Sequence, residues 1–226
     1  IVLTSPTRDD LPDGGAQQFA NTIAAIRNTI TGCTVEVLTP DFLGNTNLLD
    51  LVLAAEPDTY NHNMETCRRL SDEIRSGARY ERSLNVLAHA ASRRISGKPL
   101  VKSGFMLGLG ETPAEIKELL ADLKAAGVTH LTIGQYLAPS RNHRRVRRFV
   151  TPREFKDWRN HALDTFGFVS VAAGPFVRSS YMAEEQAKQE QAQAAEATGE
   201  GNLLDDIVEA TRLKPSDEAF STTKAG

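Results

Sequence analysis

The sequence predicts an α/β fold in which a parallel sheet curls into part of a (β/α) barrel, and three observations carry that expectation. Short β-branched or apolar runs alternate with amphipathic helical stretches up to about Tyr181, the signature of parallel strands joined by crossover helices. Each run then opens into a polar, idiosyncratic loop: SPTRDDLPDGG, TPDFLGN, NHNMET, GLGE, APSRNHRRVRR and GPFVRSSY. An open sheet gathers function at one switch point, whereas a barrel gathers it from every strand end. Finally, 40% apolar and 24% charged residues suit a soluble globular domain, and no apolar run approaches the roughly 18 residues of a membrane helix.

The elements follow in order. Ile1–Ser5 reads as a strand, Gly15–Thr29 as a helix, Val35–Thr39 as a strand and Thr46–Ala55 as a helix. A short strand at Asp58–Asn63 precedes helices at Thr66–Ile74 and Tyr80–Ser92. Leu100–Leu107 is apolar and strand-like, and Pro113–Ala126 is a helix with Glu-Thr-Pro at its start, where proline is well placed. His130–Leu137 is a strand, Pro152–Thr165 a helix and Phe168–Ala172 the last strand. Residues 1–182 form the barrel domain on this reading. From Ala183 the composition turns to Gln, Ala and Glu (AEEQAKQEQAQAAEATGEG), so residues 183–226 read as a low-complexity tail, helical or disordered, with LLDDIVEATRL as a short docking helix.

Charge and cysteine content limit the function. A net charge of −3, from 26 basic and 29 acidic residues, supplies no global field for nucleic acid. Cys33 and Cys67 are the two cysteines, too few for a disulfide framework or a Cys₄ metal site, and both read as ordinary packed thiols.

At the strand ends, KSGFMLGLGE runs into a glycine-rich turn before a helix. Glycines let a ligand approach backbone and a helix start favours anions, although a tight βα turn needs glycine anyway. The P-loop and Rossmann spacings are both absent. Asn61-His62-Asn63-Met64-Glu65 packs polar groups at a strand end, with Asn61 and Asn63 on one face and His62, in a structural role, on the other. In Asp9, Asp10 and Asp13, turn chemistry outweighs a cation site. Arg141, Arg144, Arg145, Arg147 and Arg148 place five guanidinium groups within eight residues, a pattern suited to phosphate or carboxylate recognition or simply to a solvated loop. Without interleaved stacking aromatics, nucleic acid is disfavoured.

At these same loops the chain strongly resembles the lipoyl synthases, which are radical S-adenosylmethionine enzymes. The resemblance lies in VLTSPTRDDLPDGGAQQFA, VEVLTPDF, DTYNHNMET, the stretch from Arg75 to Ser83, KSGFMLGLGET, LTIGQYLAPSRNH, FVTPREF and AAGPFVRSSYMA. These segments occur in family order over about residues 1–185. The resemblance implies a partial barrel of the radical S-adenosylmethionine type, here missing its first strand and helix. It implies insertion of two sulfur atoms at C6 and C8 of a protein-bound octanoyl group. It also implies two four-iron four-sulfur clusters, one cleaving S-adenosylmethionine to a 5′-deoxyadenosyl radical and one consumed as sulfur donor. Ser180 would be the serine ligand of the second cluster, with Arg178 near it. Asn61, Asn63, Lys102, Ser103, Gly104 and Glu111 would line the S-adenosylmethionine pocket, with Gln135, Ser140 and Arg141 at cofactor or substrate contacts; no catalytic residue is assigned.

Implied partners are an octanoylated lipoyl-carrier protein and an electron donor such as ferredoxin or flavodoxin, with no nucleic acid and no membrane. The cytoplasm is the default compartment, or a mitochondrion or plastid if a transit peptide precedes this sequence. Both cysteine triads of the family are absent, and because the chain opens inside a strand, truncation of a longer product is the expected reason. Joined to those triads the chain is expected to be a sulfurtransferase; alone it is expected to be inactive. Two other classes remain. One is a remnant that only binds octanoylated carrier or S-adenosylmethionine; the other is an iron-free lyase using Lys102 as a Schiff-base lysine. The arginine run could dock an acidic carrier domain, an idea that fails if reversing Arg144 and Arg147 to Glu leaves carrier binding unchanged.

Overall fold

The computed structural model describes residues 1–75, 77 and 79–179. Six strands form one wholly parallel sheet in the order β1-β2-β3-β4-β5-β6. They are β1 (Val2–Thr4), β2 (Glu36–Leu38), β3 (Thr59–Asn61), β4 (Leu100–Leu107), β5 (His130–Gln135) and β6 (Ser170–Gly174). The helices are α1 (Ala16–Thr29), α2 (Thr46–Leu53), α3 (Arg68–Ile74), α4 (Tyr80–Ser92), α5 (Pro113–Ala125) and α6 (Pro152–Asp164). Every crossover steps one strand in the same direction and the order never reverses. That is the topology of a barrel wall, not of a doubly wound sheet with its switch point. The expected α/β class and partial barrel are therefore what the chain adopts. The expected tail and Ser180 lie outside the described residues.

Alternation along the strands explains how the sheet is sandwiched. Val35, Val37, Tyr60, Val101, Phe105, Leu107, Leu131, Ile133 and Val171 join one continuous buried cluster with Ile23, Leu49, Val52, Leu87, Leu119, Leu123 and Phe155 from the helices. The other face carries Glu36, Asn61, Lys102, Gly104, Thr132 and Gly134, a polar and small-residue set that parallel strands rarely present without a use for it. The register lines these residues into rows: Asn61, Lys102 and His130, then Gly104, Thr132 and Ala172, then Met106, Gly134 and Gly174.

Element boundaries match the expectation with small, explicable shifts. β5 ends at Gln135 because Tyr136 N donates the last ladder bond, to Leu107 O at 2.9 Å, and Leu137 turns outward. A one-turn 3₁₀ helix at Phe42–Gly44 was not anticipated; it seats the Phe42 ring edge-on against Phe19, with centroids 6.4 Å apart. Turn chemistry accounts for the acidic loop, since Asp13 accepts from Gly15 N and Gln17 N, both at 3.0 Å, at the start of α1.

Candidate functional site

A cavity of about 260 Å³ opens on the polar face at the C-terminal edge of the strands. β4 supplies Gly104 and Met106, β5 supplies Thr132, Gly134 and Gln135, and the segment after β6 supplies Val177, Arg178 and Ser179. Asn63 and Glu65, beyond β3, complete the wall. Glycines in the floor let the chain's own groups close in on the strands. A methyl group on Gly104 would lie 2.4 Å from Thr132 Oγ1 and 3.0 Å from Asn63 Oδ1, and one on Gly134 would lie 2.5 Å from Val177 O.

The Asn61–Glu65 segment is held rigidly. Met64 N and Glu65 N both donate to Gly104 O at 3.0 Å, and Met106 N donates to Glu65 O at 2.9 Å. This clamps Glu65 at a φ of 64°, a left-handed conformation costing a non-glycine residue about 1 kcal/mol, the kind of strain that concentrates at functional sites. Burial raises the Glu65 carboxyl above its ordinary range, against the lowering effects of Asn63 and Arg75. Asn63 Oδ1 is buried with no partner, and so is Asn61 Oδ1 one row lower. A buried acceptor left unpaired is costly, so Asn63, which lines the cavity, favours a ligand that donates hydrogen bonds, such as a hydroxyl or an ammonium.

Behind this segment, His62 faces away from the cavity, as alternation requires. Its Nδ1 lies 2.9 Å from Thr39 O and its Nε2 2.9 Å from Ser83 Oγ, which also accepts from Arg75 at 2.8 Å. A carbonyl can only accept, so Nδ1 donates, and in the neutral ring Nε2 accepts from the Ser83 hydroxyl. Burial depresses its pKa to about 4.

The remaining sequence-derived candidates separate into groups. Asn63, Gly104, Gln135 and Arg178 line the cavity. Lys102 lies a row deeper, 1% exposed, donating to Glu36 Oε2 at 3.1 Å, while Asn61 Nδ2 donates to Glu36 Oε1 at 2.8 Å. So placed, Lys102 is no accessible Schiff-base nucleophile. Ser103 points to the helix side and donates to His62 O at 2.8 Å. Glu111 does not serve the α5 dipole: its carboxylate accepts from Gly108 N at 2.7 Å and Leu109 N at 2.9 Å, closing the glycine turn. Ser140 lies in an exposed turn, 2.8 Å from His143 Nδ1, and Arg141 is exposed nearby. Gln135 spends its amide on bracing: Nε2 reaches Tyr136 O at 3.0 Å and Arg148 O at 3.2 Å, and Oε1 accepts from Val150 N at 2.9 Å. Arg178 donates to Val177 O at 2.8 Å, beside Gly134.

Sequence reasoning missed Glu65, Thr132 and Gly134 as cavity residues. The signal was available: period-two alternation from Asn63 reaches Glu65, and from His130 reaches Thr132 and Gly134. Among the described residues no group of three or more His, Cys, Asp or Glu side chains is placed to hold a metal. Cys67 is buried, and burial raises its thiol pKa, the opposite of a thiolate ligand. No helix of the described residues is long and apolar enough to cross a membrane.

Residues 1–123 match the model of the radical SAM superfamily. The lipoyl synthase of Rubrobacter xylanophilus is 50% identical over 198 residues, covering 88% of this chain and 61% of the relative. That of Symbiobacterium thermophilum is 52% identical over 203 residues, covering 89% and 61%. That of Geotalea uraniireducens is 51% identical over 187 residues, covering 82% and 64%. The chain thus spans about three-fifths of the length of the curated relatives it matches.

Proposed function

The chain belongs to the radical SAM superfamily, and from that premise we propose that it forms the S-adenosylmethionine-binding barrel wall of a lipoyl synthase. The reaction would insert two sulfur atoms at C6 and C8 of a protein-bound octanoyl group, with an octanoylated carrier protein as substrate and a ferredoxin- or flavodoxin-type electron donor. A reducing compartment such as the cytoplasm suits an iron–sulfur-dependent reaction. The observation that carries the proposal is the cavity itself. Its unpaired Asn63 Oδ1, its Glu65 carboxyl and its glycine floor lie on the polar face of a chain about 50% identical to lipoyl synthases.

Those residues fit the nucleoside part of the cofactor. Asn63 Oδ1 would accept from a ribose hydroxyl or the amino group, and Glu65 would take a second donor or the positive charge. Gly104 and Gly134 let Thr132 and Val177 close in beside them, thinning the wall on which the flat base would lie, and Gln135 would hold the rim rather than touch the ligand. When bound, S-adenosylmethionine supplies the 5′-deoxyadenosyl radical that removes hydrogen from the acyl chain. Val177, Met106 and Leu137 give the cavity an apolar side that would exclude water from that chain.

The clusters are a different matter. The described residues offer no thiolate set, and one serine, Ser180, is a single hard ligand that would not retain a cluster by itself. Cysteines from beyond this sequence are needed, so residues 1–226 alone should bind S-adenosylmethionine without turning it over. A binding-only remnant is the competing reading.

Calorimetric titration of residues 1–226 with S-adenosylmethionine tests the pocket, and binding abolished by Asn63→Leu is the expected result. Absence of any binding would overturn the assignment. Sulfur insertion by the natural gene product, with two cysteine triads ahead of Ile1, separates the synthase from the remnant.

A further inference from the structure

The arginine run is not one undifferentiated basic loop. Between β5 and α6 the chain is tied down along the strand ends: Arg147 N donates to Gly108 O at 2.8 Å, Tyr136 Oη donates to Arg144 O at 2.8 Å, and Gln135 braces Arg148 and Val150. Of this segment Leu137 lines the cavity, and the arginine run continues outward from it, beyond the lining, along the same strand ends. The structure sorts its cations. Arg144 pairs with Glu73, and Arg148 pairs with Glu154 at 2.6 Å and stands 3.7 Å from Glu111. Arg141, Arg145 and Arg147 are exposed and make no ion pair among the described residues. Large apolar side chains stand exposed in the same rim segments: Phe149 at 73%, Phe176 at 83% and Leu137 at 48%.

Uncompensated cations flanked by exposed apolar anchors give a surface that steers an acidic partner and then desolvates against it. The chain's net charge is −3, so this attraction is local to the rim and not a general stickiness for anions. We propose that Arg141, Arg145, Arg147 and Phe149 dock the acidic face of a small carrier protein whose acyl-bearing arm enters the cavity beside Leu137. This deepens the function proposed above and rests on it. Arg145 replaces Arg144 beside Arg147 in the pair to test, because Arg144 is already committed to Glu73.

The full 226-residue chain is immobilised and titrated with a lipoyl-carrier domain, octanoylated and unacylated, at 50 and 200 mM salt. The double variant Arg145→Glu/Arg147→Glu should weaken both forms of the carrier about tenfold at low salt and flatten the salt dependence. Phe149→Ser should weaken binding at both salt concentrations, whereas Lys117→Glu/Lys156→Glu, on α5 and α6, should change nothing. Unaltered affinity in the arginine double variant, or tighter binding of single-stranded RNA than of carrier, would overturn the docking assignment. S-adenosylmethionine titration of the same samples reads the cofactor pocket independently. Carrier docking lost with cofactor binding intact sinks only the rim, and the reverse sinks only the pocket.

Discussion

At Gly104 the backbone is not in the left-handed region, so neighbours, not conformation, exclude a side chain there. Its Cα faces the cavity between Asn63 and the β-branched Thr132, which has few rotamers to retreat to. Gly104→Ala should therefore weaken S-adenosylmethionine binding more than tenfold and, through the clash with Thr132, cost about 1–3 kcal/mol of stability; calorimetric titration and thermal melts check the two halves. His62 makes a prediction of opposite character, about stability alone. Its folded pKa of about 4 lies below the ordinary 6.5, so between those values the unfolded chain binds a proton that the folded chain refuses. Stability should thus fall as pH drops from 6.5 towards 4, by up to about 3 kcal/mol. Denaturant titrations at pH 7.5, 6 and 5 should show that slope in the native protein and a flatter one in His62→Gln. At Lys102, Lys102→Met alone strands the Glu36 carboxylate in the sheet interior and should cost about 3–5 kcal/mol, whereas Glu36→Gln/Lys102→Met should recover most of it. Sequence gave no warning of this pair. Glu36 and Lys102 are 66 positions apart and meet only because β2, β3 and β4 are neighbours.

Elements were legible where local chemistry is decisive. Thr112 and Thr151 each precede a proline and cap their helices, accepting from Glu115 N at 3.3 Å and Glu154 N at 3.2 Å; such starts can be read directly from a sequence. The α5 start is a full capping box, with Glu115 Oε2 accepting from Thr112 N at 2.7 Å. Arg69 adds a clamp on Glu115 at 2.6 Å and is the main cause of that carboxyl falling to about 2. Thr112→Ala should cost about 1 kcal/mol, a melting shift of about 2–4 °C for a chain of this size. It should also loosen the Gly108–Gly110 turn that precedes the cap, which amide exchange would register at Gly108 and Leu109. What escaped the sequence at this scale was non-local. The resemblance put Glu111 in the S-adenosylmethionine pocket, whereas its turn-closing role depends on Gly108 standing at φ 99° with its amide aimed back. Likewise alternation carries Asn63 and Glu65 to one face, yet the isolated bridge by which Glu65, at a left-handed φ, reaches Phe105 depends on β4 lying alongside.

For the whole molecule, the choice between barrel wall and doubly wound sheet rested on how many strand ends carried chemistry, and the sequential strand order bears that reasoning out. The same order explains why the candidate site could be only half read. Its residues come from the segment beyond β3, from β4 and β5 and from the segment after β6, so motifs identify the contributing loops, while their depth in the wall depends on register. Asn61 and Lys102 share a row, and Gly104 and Thr132 share the next one up. That architecture also sets what these 226 residues can do unaided. The polar face offers oxygen and nitrogen groups suited to a nucleoside, and its described residues hold no thiolate set suited to iron. Cluster retention depends on several soft ligands acting together, since each iron left with solvent or a lone oxygen is readily lost. Anaerobic reconstitution of residues 1–226 with iron and sulfide, followed by desalting, should leave well under one iron per chain and no broad absorbance near 400 nm, while S-adenosylmethionine still binds. Four irons per chain would mean that the ligands lie within this sequence after all, and the division of labour between this barrel wall and an upstream cluster-bearing segment would have to be abandoned.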